Sequence, residues 1–275
     1  MSGGATWQSA ARPPVRTSLA RASLALAARW FTRLRREPAG LTAALVQPAL
    51  WLVLFGNLFA KGTVVRGTSY MAFMTAGVVV MTVLNGSLAG GVEILFDRES
   101  GLLQRLLAMP ISSLSIVVSR ALFVVLLSAA QVTMIVCAAA LLGVRLATGV
   151  PGLLIVLGIG VLFGVGVTAL SMAMAFALRG HSQFFGVTSF MGLPLVFVSS
   201  ALVPLDQMPS WLASLAAVNP MTYAIGAVRT LVLQGFLWGP VLSTAAFLAA
   251  FDVAMLALAV GAMRWMTLRG GAGLD

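Results

Sequence analysis

Apolar residues run along this chain in six long stretches: Gly40–Ala60, Tyr70–Val92, Ile116–Val144, Leu153–Leu178, Phe184–Leu205 and Val241–Met263. A helix needs about 20 apolar residues to cross the hydrocarbon core of a bilayer, and every stretch is that long. The pattern predicts an all-α integral membrane fold of six transmembrane helices. Between the fifth and sixth stretches, Asp206 to Pro240 is apolar but broken by prolines. Met208-Pro209-Ser210 opens a short helix with Ser210 as its N-cap, Asn219 caps a second one with Pro220 at its first position, and Gly235 stops it. Two short helices that dip into the membrane and return fit this pattern. Backbone of that kind is tolerated at depth only where it is buried in protein or lines water. A continuous seventh span over Trp211–Leu233 is the competing reading, and Pro220 and Arg229 weigh against it.

Polar residues concentrate in one place inside this apolar body. Glu93 to Ser113 holds Glu93, Asp97, Arg98, Glu99 and Arg105, three of the seven acids of the chain among them. Charges at this density do not lie in hydrocarbon, so the stretch is expected in water between the second and third spans. Leu102, Leu103, Leu106 and Leu107 form one stripe of a short amphipathic helix, with Gly101 just before it and Pro110 ending it. Such a helix is a handle for a soluble partner, its leucine stripe seated in a groove and its charges setting register; an ordinary solvated loop with a surface helix is the plain alternative. A second amphipathic helix is expected over 17–37, with Arg29, Arg33 and Arg36 on one face and Leu26, Trp30 and Leu34 on the other. That pattern rests in a membrane interface, arginines toward lipid phosphates and Trp30 toward acyl chains.

Composition adds the class and the orientation. The chain of 275 residues is 60% hydrophobic and 9% charged, against roughly one quarter charged in soluble domains. Its net charge of +10 does not point to nucleic acid, because the basic residues flank the spans as topology signals. With the N-terminus inside, 13 of the 17 Lys and Arg fall on cytoplasmic segments and 4 on outer ones. Both termini are therefore expected in the cytoplasm, together with the charged stretch. The expected layout is an N-terminal segment with its interface helix over 1–38, a six-span transmembrane domain over 39–268 and a short tail over 269–275. Within the domain lie the charged loop at 93–115 and the re-entrant helices at 206–240. The single cysteine, Cys137, excludes an intramolecular disulfide and is expected as a small core residue.

Candidate chemistry is sparse. The only lysine, Lys61, is followed by Gly62, so no G-x-x-x-x-G-K-[ST] phosphate loop exists, and G-x-S-x-G is absent as well. The lone His181 sits in a short turn beside Arg179 and Gln183 and is expected as a solvated or interface histidine rather than a ligand. Asn85-Gly86-Ser87 matches a glycosylation sequon but lies inside a span. Gly160-x-x-x-Gly164 offers a face for close helix packing, with a hinge in a substrate path as the functional alternative. Asp252, in the middle of the sixth stretch, is costly in hydrocarbon and should face the bundle interior. Gln131 lies at similar depth and could share a hydrogen bond with it. Asp252 is either a structural polar pin or a proton or substrate contact.

Three segments carry a resemblance to a known family. Glu99-Ser100-Gly101-Leu102-Leu103-Gln104-Arg105-Leu106-Leu107-Ala108-Met109-Pro110 resembles the loop after the second span in the permeases of type-2 ABC exporters, including the daunorubicin-resistance permeases. Leu102 and Gln104 stand where that family usually has a small hydroxyl and an acid. Ser200 to Trp211, with Pro204 and Pro209, is similar to the family's outer loop, with Ala201 in place of glycine. Asn219-Pro220-Met221-Thr222-Tyr223 with Arg229 is similar to its N-P-x-x-Y…R signature. The resemblance covers roughly Ser18 to Arg269. It implies a permease half-transporter in the inner membrane of a prokaryote, paired with a second copy or close relative and with two separate ATPase subunits that bind ATP and Mg2+. It also implies that the loop holding Asp97 to Pro110 couples to the ATPase, and that the re-entrant helices cap the exit of the path. Two other classes compete: a proton-coupled secondary transporter working through Asp252, and a membrane-embedded enzyme, for which no nucleophile–base or metal set is visible.

Overall fold

A computed structural model describes residues 18–36, 38–58, 64–65, 68–109, 113–178 and 180–271. Pro110 and the side chains of Trp30, Arg33, Arg36 and Leu107 lie outside the described residues. The described residues are helical almost throughout. In order come α1 (Leu19–Arg36), α2 (Pro38–Leu58), a two-residue antiparallel pair β1 (Val64–Val65) and β2 (Thr68–Ser69), α3 (Tyr70–Glu99), α4 (Leu102–Ala108), α5 (Ser113–Leu141) and α6 (Gly149–Ala177). Then follow α7 (His181–Phe197), a 3-10 turn (Leu205–Gln207), α8 (Ser210–Ala216), α9 (Pro220–Leu233) and α10 (Trp238–Gly271).

Among the described residues, four helices are long and apolar enough to cross a membrane: α3, α5, α6 and α10. A fifth joins them if α8 and α9 are taken as one span, and these two are bent by 86° at their junction. The continuous helix over 211–233 is thereby overturned. Ser210 is not a cap: it is the first helical residue, and Pro209 occupies the cap position without a side-chain bond. The fifth apolar stretch also ends early. α7 stops at Phe197, and the chain turns through 198–203 instead of continuing to Leu205. The carbonyls freed there are taken by side chains from α8–α9, described below. Conversely, the second stretch runs long. α3 continues through Glu99, because nothing from Val92 to Glu99 breaks a helix. Its 30 residues rise about 1.5 Å each, to roughly 45 Å, against a hydrocarbon core of about 30 Å. The first half of the charged stretch is therefore the projecting end of a span rather than a loop.

Lipid supplies no hydrophobic drive between spans, so close approach through small residues holds them together. Gly160 and Gly164 on α6 face Val83 of α3 and Val132 and Ser128 of α5, which bears out the packing reading of that pair. Gly91 of α3 is tighter. A Cβ there would lie 2.4 Å from the carbonyl oxygen of Ser171 on α6. Ser171 uses the closeness: its Oγ donates to Leu88 O at 2.5 Å and accepts from Gly91 N at 3.0 Å. One apolar core fills the space between α3, α5, α6 and α9, around Val79, Val83, Ile135, Ile159, Phe163 and Ile225. A second sits at the charged end, around Leu95, Leu103, Ile116, Met172, Phe176 and Met263. Cys137 is exposed on α5, not in the core, because α5 packs on its neighbours with Val132, Ile135, Val136 and Ala139 and turns Cys137 away.

Candidate functional site

The last turn of α3 carries Asp97, Arg98 and Glu99, and each reaches a different helix. Successive residues of a helix point about 100° apart, so three in a row address three directions. Asp97 is buried and bonds through Oδ2 to Nη2 of Arg29 on α1 at 2.5 Å. Arg98 turns to the end of α6, where its Nη1 donates to Ala175 O at 3.1 Å and Leu178 O at 2.7 Å. The last carbonyls of a helix have no intrahelical donor, and the macrodipole there favours a cation. Glu99 turns to the start of α7, its Oε1 lying 2.6 Å from Nδ1 of His181. The imidazole is also in ring contact with Phe96 at 4.7 Å and Phe185 at 6.2 Å between centroids.

After this hub the chain turns sharply. Gly101 adopts φ 71, the left-handed region open to glycine, and α4 begins at Leu102. The leucine stripe of α4 does not face a partner. Leu103 and Leu106 are buried in the second core against Ile94, Ile116 and Phe176, and Leu102 packs beside them. The expectation that this stripe seats in another protein is therefore overturned. Asp97, Arg98 and Glu99 each have a partner within the chain, and the Glu99 side chain is 50% exposed. What α4 leaves open is the opposite face: Gln104, Arg105, Ala108 and Met109 are exposed. Helix α1 departs from expectation too. Its small residues Ala22, Ser23 and Ala27 are buried as it packs on α5, and Arg29 turns to Asp97.

At the far end of the bundle, the Asn219 side chain joins α7 and α9. Its Oδ1 accepts from Met221 N at 2.9 Å, capping α9 as expected. Its Nδ2 donates to Leu195 O at 2.8 Å and Val198 O at 3.1 Å, capping the end of α7. Arg229 donates from Nη2 to Ser200 O at 2.7 Å, and its guanidinium lies 3.8 Å over the ring of Phe73. Tyr223 donates its hydroxyl to Ala217 O at 2.9 Å, bracing the bend before α9, and stacks on Phe247 of α10. Pro204 and Pro209 start the 3-10 turn and α8, and Gly235, at φ 103, ends the α9 segment. Within the bundle, Asp252 is buried against α6, where Gly166 leaves room for it: a Cβ on Gly166 would lie 2.5 Å from Asp252 Oδ1. Gln131 is buried as well and lies against Gly86 of α3.

This architecture agrees with a sequence comparison. Residues 21–233 match the model of the family described as ABC-2 type transporter. The chain belongs to the ABC-2 type transporter family. It is 43% identical over 209 residues to the putative transport permease ycf38 of Porphyra purpurea, covering 74% of this chain and 72% of the relative. It is 26% identical over 244 residues, 87% of each chain, to the probable doxorubicin resistance ABC transporter permease protein DrrC of Mycobacterium tuberculosis. Over 224 residues it is 26% identical to the daunorubicin resistance ABC transporter permease protein DrrB1 of Streptomyces coeruleorubidus, covering 82% of this chain and 79% of the relative. As an ABC-2 family member with several apolar helices, the chain is a multi-pass membrane protein whose relatives are named permeases.

Sequence reasoning placed most of this permease's notable residues but paired few of them. It put Asn219 at the start of a helix and missed its bonds to α7. It left His181 in a turn, whereas His181 is half-buried at the first position of α7 and bound to Glu99. The one signal available was negative: a lone histidine beside glycine, at the end of a span, with an acid at the matching end of another.

Proposed function

We propose that this chain is the membrane-spanning subunit of an ATP-driven exporter. It moves a hydrophobic or amphipathic substrate, a drug, lipid or glycolipid, out of the cell on energy from a separate ATPase that carries ATP and Mg2+. In this reading α2, α3, α5, α6, α7 and α10 are the six spans, both termini are cytoplasmic, the membrane is the inner membrane of a prokaryote, and a second copy or close relative with two ATPases completes the transporter. Lipid headgroups meet α1, where Arg21 and Leu24 are exposed. The relatives named for doxorubicin and daunorubicin resistance support the substrate class. The absence of a phosphate loop from the full sequence supports placing the nucleotide on another chain.

The observation that carries the reading is the outward face of α4. Gln104, Arg105, Ala108 and Met109 are exposed on a helix whose other face is fixed in the core and whose start adjoins the Asp97–Glu99 hub. A load on that face is passed at once to α1, α6 and α7. The test is purification of the tagged chain from its own host with an ATP-hydrolysing subunit, followed by ATP-dependent uptake of doxorubicin into inside-out vesicles. Arg105→Glu is expected to lower both capture of the ATPase and ATP-driven uptake at least fivefold while insertion is unchanged. Normal capture and uptake with that variant would overturn the assignment of α4. A second reading, proton-coupled transport through Asp252, draws on the burial of that carboxylate within the bundle. It requires uptake driven by a pH gradient without ATP.

A further inference from the structure

The helix α7 differs from its neighbours in how it is held. Of its seventeen residues, Phe184 and Thr188 are the buried ones, while Phe190 and Leu193 are exposed. Side packing holds α3 and α6 along their length, but α7 is secured at its two ends. At the charged end Glu99 of α3 binds His181, and Phe96 contacts the same ring. At the far end Asn219 binds the carbonyls of Leu195 and Val198, and Arg229 binds that of Ser200. Each anchor belongs to an element with a separate role. Glu99 lies two residues before Gly101, the N-cap of α4; Asn219 is the N-cap of α9 at the 86° bend.

From this suspension we infer that α7 is the strut that carries displacement from the α4 hub to the α8–α9 bend, with His181 as the positioning residue that fastens its driven end. This rests on the reading of the chain as the membrane subunit of an ATP-driven exporter. A helix of 17 residues is about 25 Å long, and its one internal proline, Pro194, lies in the last turn beside the Asn219 anchor, so the turns from His181 up to that anchor are unbroken. A shift of Glu99 is therefore delivered to the Asn219 cap. The far end has room to move: a hollow of about 300 Å³ lies between Phe197, Leu202, Met208 and Leu212. The His181 contact does not depend on its charge, because Nδ1 can carry a proton and donate to Glu99 in either the neutral or the charged ring.

The inference is tested on the complete permease–ATPase complex in vesicles. A cysteine at Gln207, in a Cys137→Ser background, reports on the α8–α9 bend through its rate of labelling by a membrane-impermeant maleimide. In the parent protein the rate is expected to change at least threefold between the nucleotide-free state and the state trapped with ATP and vanadate. His181→Phe keeps an aromatic ring beside Phe96 and Phe185 but removes the bond, and should abolish the change. Glu99→Gln keeps an acceptor for Nδ1 and should restore most of it relative to Glu99→Ala. Gly186 gives an independent test, since its Cβ position is open. Gly186→Ala should leave the change intact; Gly186→Pro, which breaks the helix between untouched ends, should abolish it. If His181→Phe and Gly186→Pro both assemble and respond like the parent, the strut is wrong while the exporter reading stands. If the parent neither holds an ATPase nor responds to nucleotide, the exporter reading itself fails.

Discussion

Asn219 shows how much one side chain decides. It satisfies an orphan amide at the start of α9 and two orphan carbonyls at the end of α7. Losing an N-cap costs about 0.5–2 kcal/mol, and each further hydrogen bond is worth about 1 kcal/mol. Asn219→Ala is thus expected to lower stability by about 2–4 kcal/mol, read as earlier thermal unfolding in detergent. Asn219→Asp keeps the acceptor and loses both donors, so it should fall between the parent and the alanine variant; equal loss for both would show that the α7 bonds carry nothing. The Arg29–Asp97 pair gives the complementary case. Asp97 is buried and the Arg29 side chain is 33% exposed, so losing one partner strands the other only in part. Asp97→Ala should cost about 1.5–3 kcal/mol, the range for hydrogen bonds to charged groups, and Arg29→Ala applied on top should add little. Here the sequence was legible for local bonds and silent on distant ones. Asn before Pro announces a cap, because the cap spans two residues. Glu99 and His181 meet through the fold, and no spacing in the chain encodes that.

For whole elements the apolar pattern located four helices long enough to span, α3, α5, α6 and α10, and the break at Pro220, yet it misjudged two helix ends. Val92 looked like the end of the second span because water was expected to begin there. A helix does not end where the solvent changes; it ends where the backbone is broken, at Gly101. Leu106 was read correctly as part of a stripe, but the stripe could equally face a partner or the chain itself, and periodicity does not choose. The core at the charged end chooses. Leu106→Asp is accordingly expected to cost several kcal/mol through a buried unpaired charge and to reduce yield of folded protein, whereas Arg105→Glu should leave folding intact. Detergent size-exclusion profiles separate the two. Gly91→Val should also fail to fold, because its side chain meets the backbone of Ser171 and the helices have no slack to yield; a well-folded Gly91→Val protein would contradict the closeness of α3 and α6.

Across the whole molecule, polar bonds at both ends bracket a bundle held in the middle by small residues, with Asp252 and Gln131 buried within it. As a structural pin, Asp252→Asn should retain more than half of ATP-driven uptake, since an amide still fits against Gly166; complete loss in a normally assembled protein would favour the proton-coupled reading. The orientation of the bundle is tested by labelling single cysteines from outside intact cells, expected to reach position 207 and not position 109. The three-way reach of Asp97, Arg98 and Glu99 has a consequence for how this gene can drift. A substitution there alters one connection, but inserting or deleting one codon between Gly91 and Asp97 rotates all three by about 100° and shifts them by about 1.5 Å. Arginine would then point where glutamate belongs, and every bond of the hub would be lost together. The tail of α3 is therefore expected to accept changes of spelling far more readily than changes of length.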